Sequence, residues 1–183
     1  MISPARGTLL IANPFLKDPN FMRTVIFLCE HKEEGSFGFV LNKLFPKMLG
    51  DLLPEFDEYA IPLYFGGPVQ KDTIHFLHQY PNIISGGEEV FEGVYWGGNF
   101  ESAMALIKNK QIDFRKIKFF IGYSGWAEKQ IDDEMKVKSW LITEATRNLL
   151  FHSKPDNIWK DSLKHLGGEY EMMINFPIDP QLN

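Results

Sequence analysis

The chain has 183 residues, with Lys+Arg 19 against Asp+Glu 24 and a formal net charge of −5. A chain of that length is one domain's worth and buries roughly 70% of its unfolded surface, enough for a core without metal or disulfide staples. Its one cysteine, Cys29, cannot form an intrachain disulfide or a Cys-rich zinc site, and a mildly acidic balance argues against affinity drawn from nucleic-acid phosphates.

Thr8 to Ala12 predicts a short strand closed by Asn13-Pro14. Asp18-Pro19-Asn20 is a turn, because Pro presets φ and Asx side chains bond nearby backbone N–H groups. Thr24 to Cys29 is apolar on both parities, the pattern of a central strand covered on both faces. His31 to Gly35 predicts a hairpin loop of about five or six residues, with Gly35 free to take a positive φ, and Phe37 to Asn42 is the returning strand. Lys47 to Leu53 predicts a helical turn stopped by Pro54.

Leu63-Tyr64-Phe65, Ile74 to His78 and Val94-Tyr95-Trp96 read as three further strands. Phe100 to Asn109 carries Ala103, Leu106 and Ile107 on one helical stripe. Ile117 to Ile121 predicts a strand ending at Gly122, Ala127 to Val137 a helix with Ala127, Ile131 and Met135 on one face, and Trp140-Leu141-Ile142 another strand. Asp156 is the expected N-cap of a last helix that carries Trp159, Leu163 and Leu166 and is closed by Gly167-Gly168. From about Ile178 onward the chain reads as a frayed tail. No repeat or linker divides residues 1–183, so they form a single domain, and strands mixed with helices without a βαβ rhythm point to α+β. Phe27, Phe39, Phe65, Phe76, Phe119 and Phe120 lie in expected strands and are assigned to the core.

No apolar run approaches the roughly 20 residues that span a bilayer, and the opening Met1 to Gly7 lacks the basic-then-apolar order of a signal peptide. These features predict a cytoplasmic protein with no membrane partner. Of the histidines His31, His75, His78, His152 and His165, the pair His75 and His78 is three apart on a strand and points to opposite faces, so it cannot chelate one ion. No metal and no cofactor are expected. Gly66-Gly67-Pro68-Val69 and Gly97-Gly98-Asn99 match no phosphate-loop pattern, and Pro68 lacks an N–H that such a cradle would use. They read as tight turns where two backbones approach. Gly122-Tyr123-Ser124-Gly125 resembles a nucleophile elbow only superficially, because Trp126 stands where the elbow needs glycine.

Cys29-Glu30-His31 leaves two readings open. In an extended strand Cys29 and His31 share a face with Glu30 opposite, and a nearby imidazolium lowers a thiol pKa while a carboxylate raises it. That makes Cys29 a redox candidate. The bland reading is a buried core cysteine at the end of an apolar strand.

Several segments together resemble the YqgE/AlgH family of bacterial proteins: Gly7 to Pro14, Asp18 to Val25 with Cys29-Glu30-His31, and Gly35 to Lys43 with its Gly-x-x-Gly-x-x-x-Asn-Lys pattern. Gly66 to Val69 with Phe76-Leu77-His78, Gly122 to Trp126 with Gln130 and Glu134, and Leu150-Phe151 with Trp159 to Gly167 continue the match in order. The resemblance implies an intracellular α+β domain whose branched mixed sheet folds into a partial barrel with flanking helices. One family name carries a label of transcriptional regulation, but no helix-turn-helix stands in this sequence and its charge disfavours direct DNA binding.

The expected role is therefore a non-enzymatic binding or regulatory domain, its partner a protein or a small-molecule ligand. Its candidate surface comprises Asn13, Asp18, Phe21, Arg23, Glu30, His31 and Asn42 with Gly66, Gly67, Pro68, His78, Tyr123, Trp126 and Gln130, groups at strand ends and loops where a rigid scaffold positions binding residues. The structural counterpart of that reading has Asp18 and Asn42 capping backbone and Arg23 paired with Glu30 or Glu134. The alternative role is a small-metabolite or thiol-redox enzyme using Cys29, Glu30 and His31.

Overall fold

The computed structural model describes residues 2–178. Within them run the strands β1 (Thr8–Ala12), β2 (Val25–Lys32), β3 (Gly35–Val40), β4 (Leu44–Met48), β5 (Pro62–Phe65), β6 (Val69–His78), β7 (Glu88–Phe91), β8 (Val94–Trp96), β9 (Ile117–Ala127) and β10 (Trp140–Glu144). The helices are α1 (Leu49–Leu52), α2 (Phe100–Lys108), α3 (Gln130–Lys136), α4 (Arg147–Leu150), α5 (Ile158–Leu166) and α6 (Glu169–Met172). No described helix is long and apolar enough to cross a membrane.

The strands form one curled half-barrel sheet in the order β10-β1-β2-β3-β9-β6-β8-β7, branching at β9. The second half of β9 pairs antiparallel with β3, from Gly35↔Ala127 to Gly38↔Ser124, and its first half pairs in parallel with β5, from Leu63↔Phe119 to Phe65↔Ile121. Gly66-Gly67 is the point where β5 leaves the ladder. Gly66 donates to Ile121 O at 2.8 Å, and its own carbonyl accepts from Val40 N at 2.9 Å. A Cβ on Gly67 would lie 2.2 Å from the Tyr123 carbonyl carbon, so a side chain there would push the two backbones apart. This is the close approach expected of that turn. At the outer edges the curl is tied by side chains: Arg6 donates to Glu89 O and Arg147 to Glu92 O, both on the β7–β8 hairpin.

Hydrophobic periodicity accounts for the packing. Phe27, Phe39 and Phe120 meet Trp159 and Leu163 of α5 in one cluster. Ala103, Leu106 and Ile107 of α2 cover Phe76, Phe119 and Ile121 in a second. Trp126, Trp140 and Ile131 of α3 pack on Leu10, Ile26 and Leu28 in a third. Phe65 departs from its core assignment: it is half-buried, with the Lys71 ammonium 5.8 Å from its ring.

Several boundaries differ from expectation. The β2–β3 hairpin turns on Glu33-Glu34 alone, because the polar residues His31 and Lys32 stay in the ladder, opposite Ser36 and Gly35. Strands β4 and β7 carry Pro46 and a Glu88-Glu89 pair, compositions tolerated on outlying strands that read as loop in one dimension. Strand β9 does not end at Gly122 but passes through it with φ 67°. Lys129 adopts a left-handed φ of 61°, which delays α3 to Gln130. Asp156 sits within a 3₁₀ turn, and Asn157 takes the N-cap position of α5. Gly167 ends α5 with φ 70°, as its position suggested. The expected tail lies, beyond Ile178, outside the described residues.

Candidate functional site: an aromatic cleft beneath the β2–β3 hairpin

Two local breaks in strand parity build the site. The pairing of β2 with β3 runs through Leu28↔Gly38 and resumes at Glu30↔Phe37, so Cys29 is a bulged residue. Before the bulge, Phe27 and Cys29 point into the cluster around Phe39. After it, Glu30 shares the face of Phe37, directly across the ladder. His31 turns to the other face, where its Nδ1 lies 2.7 Å from Ser36 Oγ. The expectation that Cys29 and His31 share a face is therefore corrected: the extra residue flips every position after it. The second break is Gly122, where the β6–β9 register jumps from Ile74↔Ile121 to Val69↔Tyr123. Phe119 and Ile121 face the α2 cluster, while Tyr123 packs on the opposite side, against the cluster of Phe39 and Phe120.

Glu30 and Tyr123 thereby arrive at one cleft of about 580 Å³, together with Phe37, His75 and Trp96. Four rings form a closed circuit across its floor. Phe37 meets Trp96 at a centroid distance of 4.7 Å, Trp96 meets His75 at 6.4 Å, His75 meets Tyr123 at 5.9 Å and Tyr123 returns to Phe37 at 6.1 Å. Phe39 supports His75 from below at 5.2 Å. Gly125 stands opposite Phe37 in the ladder, and a Cβ there would press to 3.3 Å from the Tyr123 ring, so its missing side chain keeps the floor open.

The polar groups are few. Burial pushes the His75 imidazole below its ordinary pKa near 6.5, which leaves it neutral at pH 7. Its Nε2 is buried and has no hydrogen-bond partner among the described residues. At the lip, Lys32 Nζ donates to Glu30 at 2.6 Å. The hydrogen bond and charge of Glu30 raise the Lys32 pKa, with Glu34 and Glu88 adding to it.

The other sequence-derived candidates divide sharply. Trp126 borders the same cleft, and His31 lines a second one of about 640 Å³ behind the hairpin. Asn42 holds backbone: its Oδ1 accepts from Val25 N at 2.9 Å, and its Nδ2 donates to Arg23 O at 2.8 Å. Asp18 Oδ1 accepts from Asn20 N at 2.8 Å, and Asn13 Oδ1 accepts from Phe15 N at 3.0 Å. Arg23 pairs with neither Glu30 nor Glu134; it lies 4.8 Å over the Trp159 ring and donates to Phe176 O. Phe21 packs between Trp126 and Trp140, and Gln130 donates to Glu134 at 2.9 Å. Gly66, Gly67 and Pro68 form the branch turn. His78 is fully buried, donating from Nε2 to Gly97 O at 2.8 Å and accepting from Tyr80 N.

The nucleophile-type residues are locked into packing. Ser124 is buried and donates to Gly66 O at 3.0 Å. Cys29 is 2% exposed, and burial pushes its thiol well above the ordinary range, a pull that Arg6 only partly opposes. The Cys29-Glu30-His31 group thus shares no single site. Phe37, His75 and Trp96 went unrecognised in sequence because each reads as one strand residue, and only the two parity breaks bring them beside Glu30 and Tyr123.

The comparisons with known proteins agree with the fold. A family model described as AlgH-like, DUF179, matches residues 9–171. A UPF0301 protein of Chlorobium phaeobacteroides is 41% identical over 177 residues, covering 97% of this chain and 95% of that one. A UPF0301 protein of Bacteroides thetaiotaomicron is 38% identical over 184 residues, covering 100% and 93%. The solution structure of the AlgH protein from Pseudomonas aeruginosa superposes with a TM-score of 0.74 at 26% identity, covering 97% of each chain. A Corynebacterium diphtheriae crystal structure superposes with a TM-score of 0.78 at 20% identity, over 96% of this chain and 94% of that one, and shares the fold. With the ordered blocks, the branched half-barrel and these relatives in agreement, the chain belongs to the AlgH-like (UPF0301) family.

Proposed function

We propose that this domain is a non-enzymatic ligand-binding module of the cytoplasm whose site is the aromatic cleft beneath the β2–β3 hairpin. The observation that carries the reading is the circuit of Phe37, Trp96, His75 and Tyr123 in one open cleft, with Glu30 at its lip. Aromatic rings offer large contact area at low conformational cost, and a few convergent polar groups orient what binds. The volume falls within the roughly 300–1,000 Å³ that suits small ligands. Burial of Cys29 and Ser124, and the separation of His31 from Glu30, favour binding over nucleophilic chemistry. The acidic residues at the lip favour a small-molecule partner over nucleic acid. Any regulatory output would pass through the hairpin, whose residues Glu30, Lys32 and Glu34 form one wall of the cleft.

A fragment screen followed by backbone amide resonances of the labelled protein tests this reading. Hits are expected to move Phe37, Trp96, Tyr123 and Gly125 together. Hits that move only the cleft behind the hairpin, around His31 and Asp132, would remove the proposal, as would a screen with no saturable binder.

A further inference from the structure

We propose that the ligand of this cleft is a small organic cation bearing an N–H group on an apolar body, an alkylammonium or alkylguanidinium, held by the aromatic floor and by the Glu30 carboxylate. The inference rests on the cleft being the binding site and adds the chemistry of its occupant.

Three features converge on that chemistry. First, the rim is acidic on balance: Glu30 and Glu34 line the cleft against Lys32 alone, and Glu88, paired with Arg6 at 3.5 Å, lies opposite Trp96 in the β7–β8 ladder. An anionic ligand would meet these carboxylates, whereas a cation is drawn to them. Second, the floor is aromatic, and a cation placed over a ring face gains an electrostatic attraction that a neutral ligand of the same shape lacks. Third, the histidine of this floor, His75, is pushed toward its neutral form by burial. A neutral imidazole does not repel a cation.

The chain already supplies an example of the contact. Lys32 is an alkylammonium whose Nζ rests 2.6 Å from Glu30, with its side chain 62% exposed on a flexible stem. An incoming cation would displace that ammonium into water and take over the carboxylate. Lys32 is thus a resident competitor, and removing its charge should strengthen binding of a cation and leave binding of a neutral molecule nearly unchanged.

The test uses n-pentylammonium and n-butylguanidinium as probes, 1-pentanol as the neutral counterpart and tetramethylammonium as a cation without N–H. The readout is the indole N–H resonance of Trp96. Trp140 and Trp159 lie outside the cleft and are internal controls, since their indoles donate to Glu134 and to Ala12 O. Both alkyl cations are expected to shift Trp96 saturably and to bind at least tenfold more tightly than pentanol. Glu30→Gln should weaken them at least fivefold, and Lys32→Met should tighten them severalfold. Both substitutions lie at the exposed lip and leave the core untouched. Pentanol binding as tightly as the cations would overturn the proposal, as would cation affinities unmoved by both substitutions. Tetramethylammonium binding as tightly as pentylammonium would overturn it too, because it has no N–H to donate to Glu30. If neutral ring compounds occupy the cleft while no cation does, the cationic ligand is wrong and the binding site stands; if nothing moves Trp96, both readings fall.

Discussion

Trp126 and Trp140 donate their indole N–H groups to the same carboxylate oxygen, Oε2 of Glu134, at 3.0 and 2.6 Å. Their rings cross at 78° with centroids 6.2 Å apart. Trp126 belongs to β9 and Trp140 to β10, which β3, β2 and β1 separate in the sheet, so Glu134 on α3 spans the curved outer face. Hydrogen bonds to a charged acceptor contribute roughly 1.5–3 kcal/mol each, and the half-buried position discounts the sum. Glu134→Ala should lower stability by about 2–3 kcal/mol in urea titrations and change the near-UV circular dichroism of the tryptophans. Glu134→Gln, which keeps an acceptor, should cost about half as much. An unchanged urea midpoint for the alanine variant would show that α3 is not anchored through this carboxylate.

Cys29 should be inert in the folded protein. Its sulfur sits in the cluster with Phe27 and Phe39, and burial raises the thiol pKa, which suppresses the reactive thiolate. Iodoacetamide at pH 7 is expected to label it only after unfolding, with no change in His31→Ala, because the bulge places the imidazole on the other face. Rapid native labelling that depends on His31 would contradict this placement.

Lys118 predicts a pH dependence of stability. It is 5% exposed, and burial lowers its pKa from the ordinary 10.5 to about 7. Its Nζ donates to Leu41 O at 2.7 Å and lies 4.0 Å from the Tyr64 ring, contacts that favour the charged form and moderate the shift. Between the folded and unfolded values the unfolded chain holds the extra proton, so stability rises with pH across that window by at most about 1.4 kcal/mol per unit. The contribution is full above the unfolded value and is lost as pH falls toward 7. The stability difference between wild type and Lys118→Met should therefore grow in favour of wild type from pH 7 to pH 10. A flat difference would mean that Lys118 keeps its proton throughout.

Gly122 should be required both for folding and for the cleft. Its φ of 67° favours glycine, and a Cβ would lie 2.6 Å from Gly67 O, a backbone atom with no room to move. Gly122→Ala is expected to cost about 2–4 kcal/mol, a strained conformation plus a displaced branch turn. Where the variant still folds, Tyr123 loses its orientation, and shifts at Trp96 on ligand addition should weaken. A variant as stable as wild type would show that β9 crosses this point without a left-handed residue.

How much could be read in one dimension follows from which interactions are local. Strand β1, the apolar start of β2, β8, β10, the stripe of α2 and the Gly167 stop of α5 follow from periodicity and from backbone preferences acting within a few residues. The capping roles of Asp18 and Asn42 and the close approach at Gly66-Gly67 are likewise carried by residue type, and the ordered blocks were enough for the family resemblance. The site depended on the partner strands. Whether Glu30 or His31 continues the face of Cys29 turns on one unpaired residue opposite β3, and whether Tyr123 joins Phe37 turns on a register jump against β6. A slip of one residue exchanges the two faces of a strand, and its energy is set by ladders formed with segments tens of residues away. Phe37, His75, Trp96 and Tyr123 come from four strands that meet only when the sheet branches and curls, so their meeting belongs to the tertiary structure alone.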